Sequence, residues 1–156
     1  MNKNKWLIEL SESPNARFFR LEFKDLTPEE QVLLSVWQLE SEVNNGGFHQ
    51  YFLNTSGDIA WFAPEALERI GASKMAAIVR RANAVFSDGS PPTELSQREL
   101  ALESAGQSAL QVLDEIDQDF YQYPDDLTSL LFDFVIAHRA TIPGVQLPEG
   151  FNPSCN

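Results

Sequence analysis

The sequence predicts an all-α protein, a compact single-domain bundle of about six to eight helices. Three observations carry that prediction. Apolar residues recur at three- and four-residue spacing through most of the chain. Capping residues and Gly or Pro punctuate those runs. No segment sustains two-residue alternation, a weak candidate at Phe18–Phe23 excepted, and no repeat of about 20–50 residues is visible. The 156 residues, 43% apolar and 11% aromatic, suffice for one core and argue against global disorder.

Residues 1–26 read as an N-terminal segment packing on the domain. Its Trp6-Leu7-Ile8 run is cut short by Glu9, whereas a secretory leader needs about 7–15 apolar residues, so a cytoplasmic protein is expected. Residues 27–139 form the helical domain. Thr27-Pro28-Glu29-Glu30 is a capping box with proline at the first helical position, and Val32, Leu33, Val36, Trp37, Leu39 and Val43 follow at helical spacing. Asn44-Asn45-Gly46-Gly47 should stop this helix, because Asn and Gly tolerate the left-handed conformation of a C-terminal cap. A short helix over Phe48–Leu53 turns Phe48, Tyr51 and Phe52 inward, and Ser56-Gly57 closes it. Asp58 can cap Ile59–Ile70, which Pro64 can split and Gly71 ends. Ser73 can cap Lys74–Phe86, with Met75, Ile78, Val79, Ala82 and Phe86 on one face. Ser87–Pro92 is a loop, and a long helical pattern then runs from about Leu95 to Tyr121 with a break near Gly106. Asp125 or Asp126 can cap Leu127–Arg139, Ile142-Pro143-Gly144 stops it, and residues 140–156 form an irregular tail.

Charge narrows the function classes. The chain carries 11 Lys and Arg against 23 Asp and Glu, a net charge of −12. Such a surface repels phosphate, so no direct nucleic-acid binding is expected. No apolar run approaches the roughly 20 residues of a membrane span. The single cysteine, Cys155, permits neither an internal disulfide nor a cysteine-based zinc cluster. The acids come in blocks: residues 25–68 hold eight and residues 99–138 hold nine, with no Lys or Arg in either block. One reading is a pair of solvated acidic helices that keep a small protein soluble. The other is a surface built to meet a basic partner.

Projected at about 100° per residue, residues 109–121 gather Ala109, Val112, Leu113, Ile116 and Phe120 into one apolar sector. Asp114 and Asp117 fall on one shoulder of that stripe, Glu115 and Asp119 on the other. Neighbours of this kind stand about 5–6 Å apart and repel by a few tenths of a kcal/mol. Their spacing is compatible with standing in for some phosphates of duplex DNA, which recur about every 3.4 Å along a strand. Asp125, Asp126 and Asp133 extend the set. A calcium loop starting at Asp117 is excluded, because Tyr121 and Gln122 fill positions that need an oxygen ligand and glycine.

The most distinctive string is Glu40-Ser41-Glu42-Val43-Asn44-Asn45-Gly46-Gly47-Phe48-His49-Gln50-Tyr51-Phe52-Leu53-Asn54-Thr55-Ser56-Gly57. It resembles the signature of a bacterial all-α domain family named after a DNA-mimic protein, roughly Glu-x-x-Asn-Gly-Gly-Phe-x-Gln-Tyr-Phe-x-Asn-x-x-Gly. Ala66-Leu67 through Ile70-Gly71-Ala72 and Leu113-Asp114 through Phe120-Tyr121 are similar to it as well, so the likeness spans roughly residues 27–139. The resemblance implies an all-helical fold, homodimerisation and no catalytic activity. It also implies, for the namesake, an acidic surface that occupies a transcription regulator's DNA-binding face. The Asn-Gly-Gly string carries no charge pattern and identifies the family without certifying the mimicry.

Physically, the string reads as architecture. Glu40 projects beside Leu33 and Val36, and a carboxylate there needs partners. The amides of Asn45, Gly46 and Gly47, or the side chains of His49, Gln50 and Asn54, could supply them in a buried network that pins the helix–turn–helix corner, with Phe48 and Tyr51 as the motif's inward-facing residues. His49 and His138 are the only histidines, and neither a Gly-x-Ser-x-Gly nucleophile motif nor a phosphate loop is present.

The leading expectation is therefore a non-enzymatic interaction protein without cofactor or metal. Its acidic helical face, carried by Glu99, Glu103, Asp114, Glu115, Asp117, Asp119, Asp125 and Asp126, would bind a basic DNA-binding protein such as a transcription regulator. An alternative is an apolar groove near Trp37, Tyr51 or Trp61 that holds a helix or small ligand, with the acidity incidental. The third is an enzyme using Glu40, Glu42 and His49.

Overall fold

The computed structural model describes residues 1–151; Cys155 and its neighbours lie outside that range. The Asn2 side chain accepts the Lys5 amide at 3.0 Å and starts helix α1 (Lys3–Glu12), where the sequence predicts only a packed segment. Leu7 and Leu10 are buried on its inner side, Trp6 packs edge-on against Phe132 at 5.1 Å, and Lys3 pairs with Asp133 at 2.9 Å. The weak strand candidate at Phe18–Phe23 is overturned. That stretch is a series of turns leading into a short 3-10 segment, Phe23–Asp25, and no strand occurs among the described residues.

Helix α2 (Pro28–Leu53) starts as its capping box predicts: Glu30 N–H donates to Thr27 Oγ1, and Thr27 N–H donates back to the Glu30 carboxylate at 2.9 Å. Glu30 is fully buried and takes a forked contact from Arg17 at 2.7 and 3.0 Å. That bond ties the N-terminal segment to the bundle. Helical geometry stops at Gly46 and Gly47, as expected, and the two helical halves are continuous only through that kink. The chain turns a corner there: Gly47 has φ +74° and ψ −178°, and helical geometry resumes at Phe48. A 3-10 segment, Thr55–Phe62, replaces the first half of the helix expected over Ile59–Ile70. Helix α3 (Ala63–Arg69) supplies the second half, with Pro64 in its first turn.

Helix α4 (Ser73–Asn83) buries Met75, Ile78, Val79 and Ala82 as its periodicity predicts. It ends before Phe86 through tightened turns to the Ala82 and Asn83 carbonyls. Ser73 is not its cap: the hydroxyl donates to Glu68, and the Met75 amide is taken from across the bundle by Asp125 at 2.8 Å. Helix α5 (Leu95–Tyr121) breaks at Gly106, with φ +70°, where the sequence places the break. Helix α6 (Leu127–Ala137) is capped by Asp126, which accepts the Ser129 amide at 3.0 Å.

Among the described residues six helices form an all-α domain around α2, which contacts the Thr55–Phe62 segment, α3, α5 and α6. Helices α3 and α4 pair, α4 leans on α5, and α1 lies on α6. Phe48, Tyr51 and Phe52, fully buried as predicted, meet Phe86 and Phe120; Phe52–Phe86 and Phe48–Phe120 are edge-on at 4.8 and 5.7 Å. Val112 departs from the projected apolar sector and is 45% exposed, while Leu113, Ile116 and Phe120 are buried. No helix among the described residues is long and apolar enough to cross a membrane.

Candidate interaction surface around the α2 corner

Bending a helix frees backbone groups that must find partners elsewhere. At the α2 corner, α5 supplies them from residues one turn apart. Asp117 Oδ1 accepts the Phe48 amide at 2.8 Å, and the Tyr121 hydroxyl donates to the Val43 carbonyl at 2.9 Å. Asp117 thus places a negative group at the start of the resumed helix, where the helix dipole favours one. A Cβ at Gly47 would stand 2.2 Å from Asp117 Oδ2, so two constraints demand glycine: the positive φ and the approach of this carboxylate. Burial pushes the Asp117 carboxyl above the usual range and the Asp114 charge adds to this, while the Phe48 amide and His49 oppose it.

Glu42 closes the corner from the other side, accepting Gln50 Nε2 at 2.8 Å and Asn54 Nδ2 at 2.6 Å. Gln50 and Asn54 thus bond to Glu42 rather than Glu40, and at a partly exposed position rather than in a buried network. Glu40 does not bond to the amides of Asn45, Gly46 or Gly47, nor to His49, Gln50 or Asn54. It accepts the Tyr123 hydroxyl at 2.9 Å, and Asn44 donates to that same hydroxyl. The partner that Glu40 finds comes from the turn after α5, which a projection of α2 alone does not contain. Asn45 is exposed.

At the C-terminal end of α2 lies a second device that the sequence did not disclose. Arg98 is fully buried, and its guanidinium donates to the carbonyls of Phe52, Asn54, Pro92 and Thr93 and to Asp58 Oδ1 at 2.7 Å. Asp58, read as a helix cap, serves here as the counter-ion instead. A Cβ at Gly57 would meet Phe52 O at 2.6 Å and Arg98 Nε at 2.7 Å, so glycine lets the guanidinium pass. Arg98 was legible only as the lone cation ahead of a long acidic block.

The eight acids of the expected surface divide into two groups. Asp117, Asp119, Asp125 and Asp126 have structural partners: the Phe48 amide, Arg81 at 2.6 Å, the Met75 amide and the Ser129 amide. Asp119 corrects the expectation that the second acidic block lacks a counter-charge, since α4 delivers one from outside the block. Glu99, Glu103, Asp114 and Glu115 are exposed, with no ion pair or side-chain hydrogen bond among the described residues. Glu99 and Glu103 line one shallow groove with His49, Leu53, Leu102 and Leu110. His49 and Asp114 both lie within electrostatic reach of Asp117. Glu99, Glu103, Asp114 and Asp117 thus gather near the resumed half of α2. Asp125 and Asp126 sit at the far turn, against α4 and α6.

The rival readings separate on the same geometry. Glu40, Glu42 and His49 occupy three different environments: a cleft with Tyr123, a bond to Gln50 and Asn54, and the Glu99 groove. They do not converge on a reaction centre. Tyr51 is fully buried, Trp61 is 45% exposed beside Phe23 and Phe62, and Trp37 lines a cleft with Ile8, Glu40 and Tyr123. No group of His, Cys, Asp and Glu among the described residues could hold a metal ion.

A family model described as DMP19-like protein matches residues 24–138 of the chain, from the short 3-10 segment to the end of α6. No curated protein and no solved structure matches it.

Proposed function

The chain belongs to the DMP19-like protein family, and on that premise we propose that it acts by binding: an acidic helical surface takes the place of DNA on a basic DNA-binding protein, a transcription regulator being the expected class. The observation that carries the reading is the set of exposed, unpaired carboxylates of Glu99, Glu103, Asp114 and Glu115 on α5. A helix under selection for stability alone gains from intervening Lys or Arg at such positions, and none is present between 99 and 138. Asp117, within electrostatic reach of Asp114, adds negative charge beside this set while it holds the Phe48 amide. The groove between Glu99, Glu103 and Leu102 suits a partner surface that mixes basic and apolar groups. Homodimerisation is part of the same reading and is checked by the mass of the particle in solution.

The test uses the four acids that bear no structural load. In the variant Glu99→Gln/Glu103→Gln/Asp114→Asn/Glu115→Gln the fold should persist, because none of these side chains holds another element. Immobilised wild-type protein should capture a basic protein from the native lysate and release it as salt rises, since exposed charges are screened beyond about 8 Å at physiological ionic strength. The neutralised variant should lose the capture. Equal capture by both proteins, or release insensitive to salt, would contradict the reading and favour an apolar contact. Charge reversal at Asp117 or Asp119 is a poorer test, because it also breaks the α2 corner or the bond to α4.

A further inference from the structure

Helices α1 and α2, the turn between α5 and α6, and the start of α6 line an open cleft of about 450 Å³, within the roughly 300–1,000 Å³ range of small-molecule sites. Asn4, Ile8, Trp37, Glu40, Asn44 and Tyr123 line it. None of the exposed α5 acids takes part.

Three features make this cleft more than a seam between helices. Glu40 is drawn partly out of water, yet its only side-chain partner is the Tyr123 hydroxyl, and no cation of the chain pairs with it among the described residues. A carboxylate so placed is under-compensated. Burial pushes its pKa up, and the Asp126 charge acts in the same direction, which marks the cleft as electronegative. Tyr123 has φ +47°, a left-handed conformation that a bulky residue rarely adopts. Its hydroxyl is nonetheless held by both Glu40 and Asn44, and burial raises its pKa to about 12, so it stays a donor at neutral pH. Strain of this kind persists where the surroundings fix it and recurs at ligand sites. Finally, Trp37, half-buried, and Ile8 bring indole and aliphatic surface to the same cleft. Indole is the side chain with the strongest attraction for a cation over its face.

We propose that this cleft receives a compact organic cation, a guanidinium or ammonium on an apolar arm, with Glu40 as its counter-ion and Trp37 and Ile8 packing the arm. Asn4, Ser41 and Asn44 offer the remaining hydrogen bonds. The cation has two sources, a free alkylguanidine or alkylamine and an Arg or Lys side chain of another protein; both present the same group to Glu40. The inference does not rest on the acidic surface of α5, so failure of either leaves the other standing.

Titration of ¹⁵N-labelled full-length protein with butylguanidinium, with its neutral isostere butylurea, and with a blocked Gly-Arg-Gly peptide tests this directly. Butylguanidinium or the peptide should shift the Trp37 indole resonance saturably, with a dissociation constant of about 1 mM or tighter. Butylurea should bind at least about tenfold more weakly, a comparison that needs no variant. Glu40→Gln should weaken the cation by a similar factor, and Trp37→Leu, followed by the backbone amide resonances of Asn4, Ile8 and Tyr123, should weaken it while preserving the preference for cation over urea. Binding by the peptide alone assigns the site to a protein side chain, and equal binding by butylguanidinium assigns it to the free cation. Absence of saturable binding by either cation, or equal affinity for butylguanidinium and butylurea, would overturn the proposal.

Discussion

Replacing Asp117 separates the hydrogen bond that forms the α2 corner from the charge that sits in it. Asp117→Ala removes the side-chain acceptor of the Phe48 amide, found at 2.8 Å. An unsatisfied amide in such a half-buried site costs about 1–3 kcal/mol, so a loss near 2 kcal/mol is expected. For a chain of 156 residues that corresponds to a fall in Tm of about 4–8 °C. Asp117→Asn keeps an oxygen at the same place and removes a charge whose burial and proximity to Asp114 are unfavourable. Its stability at pH 7 should therefore lie within about 1 kcal/mol of wild type. The pH dependence supplies a second check. The folded-state pKa of Asp117 lies above its ordinary 3.8, so the folded form holds the proton more tightly than the unfolded chain. That contribution is fully present below the unfolded value and is lost as pH rises through the folded one. Wild type should gain on Asp117→Asn as pH falls through this window. Chemical denaturation of the three proteins at pH 7 and at mildly acidic pH measures all of this. Equal stability of the Ala and Asn variants at pH 7 would refute the assignment of Asp117 as the corner's acceptor.

Other consequences follow from the same geometry. Gly47→Ala forces a Cβ into a backbone region reserved for glycine and against Asp117, and should cost about 2–4 kcal/mol by thermal or chemical denaturation; a loss below about 1 kcal/mol would show that the corner relaxes freely. Arg98→Met leaves four carbonyls and Asp58 without their donor and should lower stability by about 3–5 kcal/mol, read from the urea midpoint at constant slope. Glu30 opposes its own burial through Arg17 and Thr27, which hold its pKa below the ordinary 4.5. The advantage of wild type over Glu30→Gln should therefore be full above about pH 4.5 and vanish as pH falls through the folded value; an advantage that persists in acid would contradict the pairing.

What the sequence disclosed about this fold is what local chemistry determines. Thr27-Pro28-Glu29-Glu30 announces its helix because the capping box lies within one turn. Gly106 announces a break because a left-handed residue ends helical geometry wherever it falls. Asn44–Gly47 was legible as the end of one helix and the start of the next, but the groups that hold the two halves at that corner, Asp117 and Tyr121, lie some 70 residues away in sequence. Ser73 and Asp58 looked like caps by the same local logic and lost those roles to long-range partners, Asp125 and Arg98. Helix α1 escaped notice because Trp6, Leu7 and Leu10 make a short stripe that gains stability only against α6. For the candidate surface, composition identified the acidic block, but it could not distinguish the carboxylates bonded to amides or Arg81 from the four left to solvent. That distinction depends on which elements pack against α5.

The most direct measurement is competition at the partner's DNA-binding face. The basic protein captured from the native lysate is bound to a fluorescent duplex, and the acidic protein is titrated in at several salt concentrations. Carboxylates of α5 standing in for phosphates should release the duplex competitively, with an inhibition constant that weakens as salt rises, and the Glu99→Gln/Glu103→Gln/Asp114→Asn/Glu115→Gln variant should release little. A ternary complex in which duplex and acidic protein bind together, or release by the neutralised variant as strong as by wild type, would contradict it.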